Sequence, residues 1–153
     1  MKKTFFFCGI GGSGMSAIAQ VLLHNGHKVR GSDRSYDQGN NKALYQNLAT
    51  QGVDLYPQDG SGIDSQVNTL VVSSAVEPSI PDVKAALDLD LPIQKRAEIL
   101  AWLFNQGEGI AVGGTSGKTT VTGMVGHILH QNKLNPTVIN GGIMLNAINP
   151  PHL

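Results

Sequence analysis

Two glycine-rich turns, each set between an apolar run and an amphipathic stretch, limit what this chain can fold into. The first is Gly9-Ile10-Gly11-Gly12-Ser13-Gly14 and the second is Gly113-Gly114-Thr115-Ser116-Gly117-Lys118-Thr119-Thr120. A strand that runs through glycines into a helix turns the helix's first backbone amides toward whatever lies beyond the strand, and such a nest suits an anion. The first turn offers amides alone. The second adds an ammonium at Lys118 and, at Thr119, a hydroxyl suited to Mg2+. Two phosphate ligands, held by neighbouring units, are implied.

Around these turns the chain alternates short β-rich runs with helical patterns, the rhythm of a parallel sheet crossed by helices. Strands are expected at Thr4 to Gly9, Lys28 to Ser32, Val53 to Leu55, Thr69 to Ser73 and Leu91 to Gln94. Helices are expected from Gly14 to Asn25, with Met15, Ile18, Ala19, Leu22 and Leu23 on one face, and from Lys42 to Thr50. Two more run from Pro81, a residue tolerated in a first helical turn, to about Leu89, and from Arg96 to Asn105 with Ile99, Leu100, Leu103 and Phe104 inward. Asp33 to Asn41 reads as a polar loop. The turn formers Gln106-Gly107-Glu108-Gly109 mark a boundary, followed by a strand at Ile110 to Gly113, a helix from Lys118 to Gln131 and a strand at Thr137 to Asn140. The predicted architecture is α/β: a Rossmann-like parallel sheet with helices on both faces over residues 1–106, then the start of a P-loop ATPase α/β domain over 107–153. That second segment holds too little apolar surface to fold alone, so the chain reads as the front of a longer protein.

Composition removes several function classes. Eleven Lys and Arg balance eleven Asp and Glu, so no basic field exists to hold a nucleic-acid backbone or an anionic membrane. The single cysteine, Cys8, lies in Phe5-Phe6-Phe7-Cys8 and reads as a small core hydrophobe, which rules out a disulfide framework. Apolar runs end well short of the roughly 18 residues that a membrane span requires. The expected compartment is the cytoplasm.

Each loop residue has a task that follows from its chemistry. Gly9 permits the tight turn, Gly11 lets backbone approach a diphosphate, and Gly14 lets the following helix pack closely on the sheet. Asp33, 19 residues beyond Gly14, suits a ribose hydroxyl, a spacing that serves NAD equally well. In the second loop the amides from Gly114 to Lys118 wrap phosphate oxygens, Lys118 neutralises the β and γ charges, and Thr119 coordinates Mg2+. A strict GxxxxGK[ST] motif has glycine where this chain has Val112, which disfavours an ordinary P-loop kinase or GTPase. A nicotinamide-binding oxidoreductase accounts for the first loop but leaves the lysine-bearing one without a purpose; a non-catalytic nucleotide sensor is a third reading. His127 and His130 favour a helix C-terminus more than a metal, His24 and His27 read as solvated, and Trp102 as core or domain contact.

Taken together, Gly114-Thr115-Ser116-Gly117-Lys118-Thr119 and the following Thr120 resemble the shortened GTxGKT loop of the Mur ligases of peptidoglycan synthesis. The opening GIGGSGMS and Gly31-Ser32-Asp33 are similar to the branch that adds L-alanine, or a recycled peptide, to UDP-N-acetylmuramate. The likeness continues through Val72-Ser73-Ser74-Ala75-Val76 and Arg96-Ala97-Glu98-Ile99-Leu100, while Ser116 stands where that branch carries histidine. The resemblance implies an ATP- and Mg2+-dependent ligase that makes an acyl phosphate and couples it to an amine. It also implies UDP-sugar contacts from Gly11, Gly12, Ser13, Gly14, Met15, Asp33, Ser73, Ser74, Ala75 and Arg96. ATP contacts are implied from Gly114 to Thr120, with Lys118 and Thr119 catalytic and Thr119 on the metal. The missing remainder of such a ligase would hold the acidic Mg2+ ligands and select the amine, and oligomeric state is not legible.

Overall fold

The run Thr-Phe-Phe-Phe-Cys forms β1 (Thr4–Cys8), a strand buried along its whole length at the centre of a five-stranded parallel sheet. The computed structural model describes residues 1–74, 77 and 79–142. Strand alternation sends Phe5 and Phe7 to one face and Phe6 and Cys8 to the other, so an unbroken apolar run is what a doubly covered strand needs. The chain continues through α1 (Ser13–His24), β2 (Lys28–Ser32), α2 (Arg34–Asp37), α3 (Lys42–Thr50), β3 (Asp54–Tyr56), β4 (Thr69–Val72), α4 (Pro81–Asp88), β5 (Ile93–Lys95), α5 (Arg96–Phe104) and α6 (Lys118–Gln131). The strand order is β3-β2-β1-β4-β5, with Phe7 opposite Gly31 on one side and Val71 on the other.

One face is covered by α1, α3 and α5, which contribute Met15, Ile18, Leu22, Tyr45, Leu48 and Ile99 to a core with Phe5 and Phe7. The other face is covered by α4 and the loop from β3 to β4, which bring Ile63, Val67, Val83 and Ala86 onto Phe6 and Leu70. Burying each of the larger side chains stabilises the fold by about 1.5–3 kcal/mol. The helix α1 stops where Gly26 and His27 donate their amides to the Leu23 and Leu22 carbonyls at 2.9 and 3.0 Å, with Gly26 in the left-handed region.

Several expectations change. Residues 110–113 and 137–140 carry no strand pairing among the described residues. A strand exists only through its ladder, and these two apolar runs do not pair with each other or with the sheet. The β5 strand starts at Ile93 because the Leu91 amide closes α4 on Ala86 O at 2.9 Å while Pro92 O accepts from Leu70 at 2.9 Å. The loop after β2 contains α2, capped by Asp33. Phe104 is not inward but 42% exposed, lying over Gly109, where no Cβ stands in its way. His27 is not simply solvated. Its ring meets Phe5 edge-on at 5.4 Å and Trp102 at 5.9 Å, and its Nδ1 accepts from the Lys3 amide at 3.2 Å.

That last contact makes acid sensitivity predictable. Burial first, then the N-terminal and Lys3 charges, hold the His27 imidazole below its ordinary value, and a protonated Nδ1 has no lone pair to offer Lys3. The folded state therefore favours the neutral ring. Its contribution is complete above the unfolded value of about 6.5 and is lost as pH falls through the lower folded value. Thermal unfolding followed from about pH 8 to pH 5 is expected to show a shallower fall in midpoint for His27→Phe than for the unaltered chain. Parallel curves would remove His27 from this role.

Candidate anion site at the sheet rim

Because every strand is parallel, β1, β2, β4 and β5 deliver their carboxyl ends to one rim, and the order of connection reverses between β1 and β4. Crevices at such a reversal are where open α/β sheets bind ligands. The glycine loop after β1, Asp33 after β2, Ser73 and Ser74 after β4, and Arg96 after β5 all stand on that rim. Ala75 lies outside the described residues.

The loop is pinned by its neighbour strand: the Gly9 and Ile10 amides both donate to Ser32 O, at 2.9 and 3.0 Å, with Gly9 at φ +84°. Ser13 and Gly14 open α1, so their amides have no intrahelical acceptor, and the first turn carries no acidic side chain. Gly12 and Ser13 are exposed. Met15 lies beneath, its side chain in the core and its amide donated to Gly12 O at 2.9 Å.

Arg96 is the first residue of α5, whose start is held by Glu98 Oε2 accepting from the Lys95 amide at 2.5 Å. A Cβ at Gly14 would stand 2.8 Å from Arg96 Nη1, so the guanidinium rests on the first turn of α1. The space that a glycine leaves here admits an arginine and not, as the sequence suggested, a closer approach of helix to sheet. A cation laid against a helix N-terminus is unfavourable, since both carry positive potential, unless an anion sits between them. Two independent positive features therefore converge on one exposed point.

Gly11 plays a different part from the one its spacing suggests. Its amide donates to Asp33 Oδ2 at 2.8 Å, and the space a Cβ would occupy is filled by that oxygen and the Tyr45 hydroxyl. The other Asp33 oxygen accepts from the Ser35 amide at 2.8 Å, capping α2. Burial, with the Asp33 carboxylate beside it, pushes the Tyr45 phenol up to about 12. Tyr45 was legible only as an inward residue of α3, because its meeting with Gly11 is purely tertiary. Below the rim, burial and the neighbouring Asp82 push the Cys8 thiol up to about 12, which leaves it an inert core residue. An open cavity of about 490 Å³ is lined by Arg34 and Asp37 of α2 with Gln58, Glu77, Ser79 and Pro81.

The second loop is exposed from Gly113 to Thr120. Gly117, at φ +72°, caps α6, leaving the amides of Lys118, Thr119 and Thr120 without intrahelical acceptors. Lys118 Nζ donates to Gly114 O at 2.7 Å and Thr115 O at 3.2 Å, so the ammonium closes over its own loop. The one ion pair among the described residues joins Arg30 to Asp64 at 2.9 Å, so no carboxylate neutralises Lys118. Thr119 packs near Gly142, whose amide donates to Asn140 Oδ1 at 2.9 Å. No group of three or more His, Cys, Asp or Glu positioned to hold a metal occurs among the described residues, His127 and His130 included. Nor is any helix among them long and apolar enough to cross a membrane.

Residues 4–108 match the profile of the Mur ligase family, catalytic domain. The chain belongs to this family. It is 44% identical over 138 residues to the UDP-N-acetylmuramate–L-alanine ligases of Agrobacterium fabrum and Mesorhizobium japonicum, covering 90% of this chain and 28% of each relative. Among solved structures it resembles the UDP-N-acetylmuramate:L-alanyl-gamma-D-glutamyl-meso-diaminopimelate ligase of Neisseria meningitides, with a TM-score of 0.85 and 26% identity, over 97% of this chain and 45% of that one. It also resembles the UDP-N-acetylmuramate-alanine ligase of Thermotoga maritima, with a TM-score of 0.83 and 29% identity, over 97% of this chain and 34% of that one. The sheet and its helices are thus the family's α/β fold, and this chain spans under a third of the length of the curated relatives it matches.

Proposed function

We propose that this chain is the UDP-sugar-binding part of an ATP-dependent ligase that joins L-alanine to the carboxylate of UDP-N-acetylmuramate in the cytoplasm. The observation that carries the reading is the convergence of the Arg96 guanidinium and the α1 N-terminus on the exposed glycine loop. The relatives at 44% identity are named for that reaction. Attachment of a recycled peptide to the same acceptor is the second reading, favoured by the likeness to the tripeptide-adding enzyme from Neisseria.

In this reading residues 1–106 bind the nucleotide sugar and residues 107–153 open the ATP-binding domain. The Ser13 and Gly14 amides and Arg96 face the diphosphate, Gly12 leaves it room, and Asp33 with Ser73 and Ser74 faces the nucleoside and sugar. The second loop fits a triphosphate in its free amides, its open glycines and an ammonium with no acid partner among the described residues. Gly114, Thr115, Ser116, Gly117 and Thr120 would wrap the phosphates with Lys118 on the β and γ oxygens, and Thr119 would supply one oxygen to Mg2+. Bound ATP supplies the phosphoryl group that activates the sugar carboxylate. What Lys118 contributes is a fixed positive charge beside the transferring group, where charge stabilisation is worth most.

Calorimetric titration of this chain with UDP-N-acetylmuramate and with NADH tests the reading. Binding of the UDP-sugar and none of NADH is expected, and the reverse would overturn it. Arg96→Ala is expected to weaken UDP-sugar binding about tenfold or more, the loss of a charge-assisted contact, without lowering the unfolding midpoint. Unchanged affinity would take Arg96 out of the site.

A further inference from the structure

Two Asn-Gly pairs occur in this chain, Asn25-Gly26 and Asn140-Gly141. In such a pair the glycine carries no side chain to obstruct its own nitrogen as that nitrogen approaches the amide carbon of the asparagine. The approach requires rotation about the asparagine's backbone. The fold treats the two pairs differently.

Asn25 closes α1 at φ −74° and ψ 4°, and the two amides that follow are already taken, Gly26 by Leu23 O at 2.9 Å and His27 by Leu22 O at 3.0 Å. Swinging the Gly26 nitrogen onto the Asn25 side chain breaks this cap. Asn140 and Gly141 lie in no helix or strand, Gly141 is exposed, and no acceptor among the described residues takes its amide. Beyond it, the Gly142 amide donates to Asn140 Oδ1 at 2.9 Å. That oxygen gathers negative charge as a nitrogen adds to the carbon it is bonded to, and a fixed N–H aimed at it lowers the barrier.

We propose that Asn140 is a self-modification site: Gly141 N adds to Asn140 Cγ, the Cγ–Nδ2 bond breaks, and ammonia leaves carrying the Gly141 amide proton. Water then opens the five-membered imide at either carbonyl and leaves aspartate or its β-linked isomer at position 140. One water is consumed and one ammonia released. The place gives the reaction a consequence, because Asn140 Oδ1 and Thr119 Cγ2 both border the point where a Gly142 Cβ would stand, at 3.8 and 2.7 Å. The new carboxylate therefore arises beside the lysine-bearing loop. On the triphosphate reading of that loop it repels the ligand, whereas the reaction itself needs no such reading.

The test is to age the folded chain in mildly alkaline buffer and to follow the amide-to-acid mass change at each pair by peptide mapping. Asn140 is expected to convert about tenfold or more faster than Asn25, whose cap bonds must break first. In urea that unfolds the chain the two rates should agree within about threefold, chiefly through a gain at Asn25. Gly141→Ala fits the fold, since nothing lies within 4 Å of the added Cβ and the backbone there is outside the left-handed region. It is expected to slow conversion at Asn140 about tenfold or more and to leave Asn25 unchanged. Equal rates in the folded chain, a tenfold preference that persists in urea, or Gly141→Ala reacting as fast as the unaltered chain would each overturn the proposal.

Discussion

Lys118→Ala in the complete ligase is expected to cut turnover by about a thousandfold or more while leaving UDP-N-acetylmuramate affinity within about twofold. The separation follows from where the lysine spends its hydrogen bonds. Among the described residues Nζ donates to Gly114 O and Thr115 O of its own exposed loop and pairs with no acid, so truncation leaves no buried partner stranded there. The rim proposed for the UDP-sugar is built from β1, β2, β4 and β5 and shares no residue with that loop. Phosphate release under saturating substrates and calorimetry with the UDP-sugar read the two effects separately. Substantial residual turnover would move the phosphoryl-stabilising charge elsewhere, and a large loss of UDP-sugar affinity would merge the two sites.

The elements that sequence made legible are those whose signal is local. β1 is a continuous apolar run, and α1 a stripe ended by Gly26. Both β2 and α6 lie at the expected bounds, because turn formers fix their ends. Residues 110–113 and 137–140 carry the same apolar signal yet show no ladder, because pairing is a property of two segments and periodicity describes one. The site divides the same way. Both glycine loops and Arg96 carry a motif, but the reasons for two of the glycines were misassigned. Gly14 makes room for a guanidinium from another strand's end, and Gly11 for a phenol on another helix. Tyr45 gave no functional signal, since an inward aromatic on an amphipathic helix reads as core and is core for all but one atom.

Asp82 is the second residue whose replacement should have a large effect, and it too was hidden, behind the helix-starting Pro81. Its carboxylate is fully buried at the start of α4, where it accepts from Ser32 Oγ at 2.5 Å and from the Gly60 amide at 2.9 Å. Asp82→Ala leaves the buried Ser32 hydroxyl and the half-buried Gly60 amide without this acceptor and is expected to destabilise the fold by about 3 kcal/mol in urea unfolding, with Asp82→Asn milder because one acceptor oxygen survives. Burial, the largest influence on this carboxyl, raises it above the ordinary carboxylate range. The folded state thus binds the proton more tightly than the unfolded one. Stability from this group is present below the unfolded value and is lost as pH rises through the folded one. The unaltered chain should therefore gain on Asp82→Asn as pH is lowered from neutrality to the ordinary carboxylate value of about 4. A loss under about 1 kcal/mol for Asp82→Ala would show that water or a neighbour satisfies the two donors. The consequence reaches the rim: Ser32, held by Asp82, also offers the carbonyl that pins Gly9 and Ile10, and it precedes Asp33. Loosening this one buried carboxylate frees the strand end on which the glycine loop is shaped, so UDP-sugar affinity should fall in Asp82→Ala even where the chain remains folded.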